Sequence, residues 1–82
     1  MLWYLYIVEA KDSSLYTGIT KDIDNRIKQH NKGFGAKSLL GKRPVKLQYK
    51  EKFNTQSEAM KRESEIKRWP RNKKLELIRK AR

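Results

Sequence analysis

Cysteine is absent from this 82-residue chain, and histidine occurs once, as His30. The first absence excludes disulfides and thiolate metal sites. The second leaves too few imidazoles for a histidine-rich zinc site. Any metal ion is therefore expected to be a hard cation held by oxygen, Mg²⁺ or Mn²⁺. Acidic residues are scarce: nine Asp and Glu stand against 21 Lys and Arg, for a formal net charge of +12. No apolar run approaches the ~20 residues that a membrane span requires. The apolar stretch from Leu2 to Val8 is short and no basic region precedes it, so it reads as a strand and not a signal peptide. A cytoplasmic location is the default expectation. There is no internal repeat, low-complexity tract or linker, and the length suits one domain, 1–82, with a small core.

What is present points to a folded domain with a polyanionic partner. Two Trp, four Tyr and two Phe argue against disorder, because disordered chains are poor in aromatics. A charge of +12 on so small a surface favours nucleic acid, DNA first with RNA kept open. A membrane surface fits less well, because no helix pairs a basic face with a broad Trp/Phe/Leu face. Lys and Arg concentrate from Lys61 onward.

The hydrophobic pattern gives the elements. Trp3 to Val8 is aromatic and β-branched and reads as a strand, with Trp3, Leu5 and Ile7 facing one way and Tyr4, Tyr6 and Val8 the other. A turn cluster, Lys11-Asp12-Ser13-Ser14, leads to a second strand from Leu15 to Thr20, making a hairpin. Gly18 within that strand signals a bulge or a close backbone approach. Asp22 or Thr20 is placed to cap a helix running to His30 or Asn31, which Gly33 and Gly35 end. Arg26 and His30, four apart, share one of its faces. Val45, Leu47 and Tyr49 alternate with Lys46, Gln48 and Lys50, predicting a third, half-buried strand over Val45 to Phe53. Thr55-Gln56-Ser57-Glu58 matches a capping box. The helix behind it ends near Trp69, and Pro70 suits the first turn of a last helix carrying Leu75, Leu77 and Ile78. The order β-β-α-β-α-α implies an α+β fold, a small antiparallel sheet flanked by helices.

Tyr6, Tyr16, Arg26, His30 and Glu63 form, in that order, a residue set suited to phosphodiester hydrolysis. That reaction needs a base for the water, positive charge for the anionic transition state and a stabilised leaving oxygen. A metal ion on a carboxylate supplies much of this, and Glu63 is the candidate metal ligand. Arg26 offers forked donors to the developing charge. Tyr16 is the candidate base or water-positioning group, and His30 is suited to assist a tyrosine whose reference pKa is near 10. Each residue also has a bland reading. The tyrosines fit as half-buried strand aromatics, Arg26 as a surface cation, His30 as a complement to the helix dipole, and Glu63 as the partner of Lys67 four residues on. Only the joint order and spacing discriminate.

On those residues the chain resembles the GIY-YIG nuclease family, and most of all its small stand-alone bacterial members. Tyr4-Leu5-Tyr6 stands where that family has Gly-Ile-Tyr, and Tyr16-Thr17-Gly18 where it has Tyr-Ile-Gly. Arg26, His30 and Glu63 follow at the family's order and spacing. The resemblance implies a three-stranded antiparallel sheet with flanking helices and a one-metal hydrolysis of DNA. By that resemblance Tyr16 is general base or binds the nucleophilic water, with Tyr6 beside it. Arg26 would stabilise the transition state, His30 would orient a tyrosine and Glu63 would bind Mg²⁺ or Mn²⁺. Two departures stand out. Tyr4 replaces the leading glycine, and Asn72 lies closer to Glu63 than the late asparagine of many members.

Lys37, Lys42 and Arg43 in the loop, with Arg68, Arg71 and Lys73 near the last helix, are predicted to contact backbone phosphates, which position a nucleic acid without reading its sequence. The reading is therefore an endonuclease acting on DNA, including structured or damaged DNA. The alternatives are a non-catalytic nucleic-acid-binding module and a subunit active only with a partner.

Overall fold

The computed structural model describes residues 2–33 and 41–81. Six elements follow one another: β1 Trp3–Glu9, β2 Leu15–Thr20, α1 Ile23–Lys32, β3 Lys46–Phe53, α2 Gln56–Lys67 and α3 Arg71–Lys80. The strands form one antiparallel sheet in the order β2-β1-β3. This is the α+β architecture expected from the sequence. Among the described residues no helix is long and apolar enough to cross a membrane.

Local chemistry sets most of the boundaries. In the β1–β2 turn, Asp12 accepts from the backbone N–H of Ser14 at 3.0 Å and from its hydroxyl at 2.6 Å, which holds the exposed carboxyl down to about 2. Asp22 caps α1 by accepting from the Asn25 N–H at 3.1 Å, and Gly33 ends that helix at φ 90°. A left-handed conformation of this kind suits glycine, which has no Cβ to clash. Thr55 caps α2 through the Glu58 N–H, and its hydroxyl also meets the Glu58 carboxylate at 3.0 Å. Pro70 lies one position earlier than expected: it is the N-cap of α3, not part of its first turn. Lacking a side-chain acceptor, it contributes a fixed φ and a start signal only.

β1 is the central strand and is buried from Leu5 to Val8. Its alternating side chains therefore build two cores. Tyr6 and Val8 pack with Ala10, Ile23 and Val45 beneath α1. Leu5 and Ile7 pack with Ile66 of α2 and Ile78 of α3 on the opposite face. The expected strict alternation in β3 fails. Ile7 pairs with Tyr49 but Val8 pairs with Leu47, so Gln48 is an extra residue on β3. A bulge of this kind reverses the facing of the residues beyond it. Val45 consequently joins the α1 core, Tyr49 joins the α2/α3 core, and Leu47 is left 37% exposed.

Two polar ties fix the helices to the sheet. The Asn31 side chain accepts from the Val45 N–H at 2.7 Å and donates to its carbonyl at 3.4 Å, joining the end of α1 to the start of β3. On the other face Arg62 of α2 makes a forked contact with Glu51 of β3, at 3.0 and 3.2 Å from Nε and 3.0 Å from Nη2. Glu51 also accepts from the Tyr49 hydroxyl, and Arg62 also pairs with Glu65. Burial and the Glu51 charge push the Tyr49 phenol up to about 12. Trp69 lies between Arg62 and Lys73, 5.2 and 4.4 Å from its ring centroid.

Candidate active site

Tyr6, on β1, points to the α1 side of the sheet and is 1% exposed. Its hydroxyl lies 2.9 Å from Nε2 of His30, which α1 brings down onto the sheet. Tyr16, on β2, pairs with Val8 and so shares that face. Its ring is half-buried and stands 6.2 Å from that of Tyr6 and 5.5 Å from that of His30, edge-on to the imidazole.

Gly18 makes the cluster possible. It pairs with Tyr6 in the sheet, and a Cβ there would fall 2.7 Å from the Tyr6 hydroxyl oxygen and 3.1 Å from Cε1 of Tyr16. The structure thus selects close approach over the bulge that the sequence also allowed at this position.

Arg26 lies one helical turn before His30, half-buried, with Nη1 donating to the side-chain amide oxygen Oε1 of Gln29 at 3.1 Å. Its charge acts on both buried groups. Burial pushes the Tyr6 phenol up; Arg26 opposes that shift, while Tyr16 and the Glu63 carboxylate reinforce it. Burial also pushes His30 down, and the Arg26 charge pushes it further. The pair is therefore neutral near pH 7, a phenol against an uncharged imidazole. Glu63, on α2, acts on Tyr6 through its charge alone, and its carboxylate pairs with Lys67 at 3.2 Å. All five residues singled out in the sequence thus lie within contact or electrostatic reach of Tyr6. The Glu63–Lys67 ion pair is the family-independent expectation for residues four apart on a helix.

Among the described residues no three His, Cys, Asp or Glu side chains gather to hold a metal ion. A single carboxylate still fits Mg²⁺. That ion keeps several waters and commonly binds through one or two carboxylates together with substrate phosphates.

The expected phosphate contacts are dispersed. Lys37 lies outside the described residues, as does Gly35. Lys42 pairs with Asp12 at 3.4 Å, and Arg43 donates to the Asn31 carbonyl at 3.3 Å at the end of α1. Both loop cations are thus already engaged within the chain. Arg68 and Arg71 are exposed around the α2–α3 corner, Lys73 covers Trp69, and Asn72 is exposed in the first turn of α3.

Comparison with known proteins agrees with this arrangement. Residues 2–76 match the model of the GIY-YIG catalytic domain. A UPF0213 protein of Staphylococcus saprophyticus is 60% identical over 75 residues, 92% of each chain. Its counterpart in Staphylococcus aureus is 53% identical over the same length and coverage. Among solved structures, the solution NMR structure of a UPF0213 protein from Bacillus halodurans superimposes with a TM-score of 0.62 at 46% identity, covering 95% of this chain and 83% of that one. An E. faecalis protein, also solved by NMR, gives a TM-score of 0.67 at 36% identity, covering 98% and 85%. A family match over most of the chain, with relatives 53–60% identical over nearly its whole length, places this protein in the GIY-YIG family, a family of nuclease domains.

Proposed function

We propose that the chain is a divalent-metal-dependent endonuclease that hydrolyses phosphodiester bonds in DNA, structured or damaged DNA included. The observation that carries this reading is the buried Tyr6–His30 hydrogen bond beneath the more open Tyr16 ring, with Arg26 and Glu63 in electrostatic reach. It divides the tyrosines by role. Tyr6 is buried with its phenol pKa raised, so it keeps its proton and its place. Tyr16 is the less buried of the two tyrosines, and so the better placed to meet the attacking water. His30, neutral, holds Tyr6 and through it the packing of Tyr16. Arg26 can meet the charge that accumulates on the phosphoryl oxygens, where preorganised donors act most strongly.

Glu63 would hold Mg²⁺ or Mn²⁺. When bound, such an ion supplies Lewis-acid stabilisation of the phosphoryl and leaving oxygens. The net charge of +12 favours the polyanionic substrate. The competing reading, a binder that does not cut, rests on the same charge and gives Tyr16 and Glu63 no task.

The test is incubation of wild type and Glu63→Ala with labelled single-stranded, duplex, nicked and branched DNA, and with RNA. Mg²⁺ or Mn²⁺ is present at low salt, with EDTA controls. Cleavage by wild type alone, lost with EDTA, is the expected result. Tight binding without cleavage by either protein would favour the binding module, or a subunit that needs a partner.

A further inference from the structure

Resting on that reading, the ion pair on α2 has a second consequence. Glu63 is the carboxylate at the site, and its Oε2 is 3.2 Å from the Lys67 ammonium. We propose that Lys67 stands in for the divalent ion at Glu63, so that the free protein captures the ion poorly and captures it well only with nucleic acid bound.

Three observations converge. The ammonium occupies the space beside the oxygen that a cation would take. Arg26 adds a further positive charge at the same cluster, within reach of both Tyr6 and His30. Among the described residues, no group of three or more His, Cys, Asp or Glu side chains stands ready to form a coordination shell. A divalent ion entering the free site therefore meets repulsion and finds fewer than three protein ligands of these types. Bound phosphates change both conditions. Their oxygens supply ligands, and their charge offsets Arg26 and draws Lys67 away. Lys67 is half exposed, so its side chain can swing aside. Capture of ion and nucleic acid is then one linked equilibrium, and each must tighten the other by the same factor.

The size of the Lys67 contribution is bounded. If the ammonium swings away, only an exposed i,i+4 ion pair is lost, roughly twofold in ion affinity. If it stays about 5 Å from a doubly charged ion in a water-like dielectric, the penalty is roughly fifteenfold.

The experiment measures Mn²⁺ binding by water-proton relaxation on full-length protein, with no turnover required. The chains are wild type, Lys67→Met and Glu63→Gln. Each is titrated alone and with a short duplex carrying non-hydrolysable phosphorothioate linkages. Wild type should bind Mn²⁺ weakly alone and at least tenfold more tightly with the duplex. Duplex affinity should rise by the same factor in Mn²⁺. Lys67→Met should bind Mn²⁺ more tightly than wild type when alone, by two- to fifteenfold, and show a correspondingly smaller gain from the duplex. Equal Mn²⁺ affinity of wild type and Lys67→Met would overturn the role of Lys67, and an affinity unchanged by the duplex would overturn the linkage. If Glu63→Gln binds Mn²⁺ as wild type does, the assignment of the metal to Glu63 fails instead. Absence of binding in all three chains, with and without duplex, sinks both readings.

Discussion

Gly18 decides how closely two tyrosines can stand. Adding one methyl would place carbon 2.7 Å from the Tyr6 hydroxyl oxygen, a side chain that is fully packed and hydrogen-bonded and cannot easily move. Gly18→Ala should destabilise the fold by about 1–3 kcal/mol, the usual cost of overpacking. A melting point lowered by less than a degree would show that the site relaxes around the methyl. His30 sets the pH response at the same scale. Its folded pKa lies below its ordinary value, chiefly because it is buried. The unfolded chain therefore binds the proton first as pH falls. Stability carried by neutral His30 is complete above about 6.5 and is lost progressively below it. Denaturation midpoints should fall as the pH drops below about 6.5, and His30→Gln should flatten that dependence. An equally steep profile in His30→Gln would assign the effect to other groups. The order Tyr6, Tyr16, Arg26, His30, Glu63 was legible in the sequence. The burial of one tyrosine and the openness of the other was not, because it depends on which strand is central.

Helix caps and strand positions could be read locally because Asp22, Thr55 and Gly33 act on backbone within four residues of themselves. The bulge at Gln48 could not. Its cause is the pairing of β3 with β1, and the alternation Val45, Leu47, Tyr49 looks regular until that pairing is known. The same long-range logic governs α2. Ala59 and Ile66 bury its apolar stripe, while Arg62 is held by Glu51 on β3. This sets the rotation of the helix, and hence where Glu63 points. Both ends of that ion pair are about three-quarters buried, with exposures of 25% and 21%. Glu51→Gln should therefore cost more than a surface pair, about 1–2 kcal/mol. The check is urea denaturation, in which the midpoint should fall with the slope unchanged. A midpoint equal to that of wild type would show that apolar packing alone orients α2.

Charge dominates the whole molecule. A +12 surface predicts binding that weakens steeply with salt, because each phosphate contact releases counterions. Lys42 and Arg43 hold Asp12 and the end of α1, whereas Arg68, Arg71 and Lys73 are exposed around the α2–α3 corner, and we expect that corner to carry more of the phosphate contacts. Neutralising Arg68, Arg71 and Lys73 together should flatten the log–log salt slope on duplex DNA by roughly 2–3. Neutralising Lys42 should change it little. The opposite ranking would return the contact surface to the loop. Sequence gave no means of separating these groups, since an intramolecular partner for a lysine depends on the folded geometry.

The most direct measurement is single-turnover cleavage of a labelled DNA substrate by wild type and Tyr16→Phe in Mg²⁺, with DNA affinity and melting point measured on the same samples. Removing one oxygen from the half-exposed ring should abolish cleavage, by a hundredfold or more, the scale of a lost general base. Affinity and melting point should stay near those of wild type. Cleavage by Tyr16→Phe at the wild-type rate would contradict the account and move the chemistry away from this cluster.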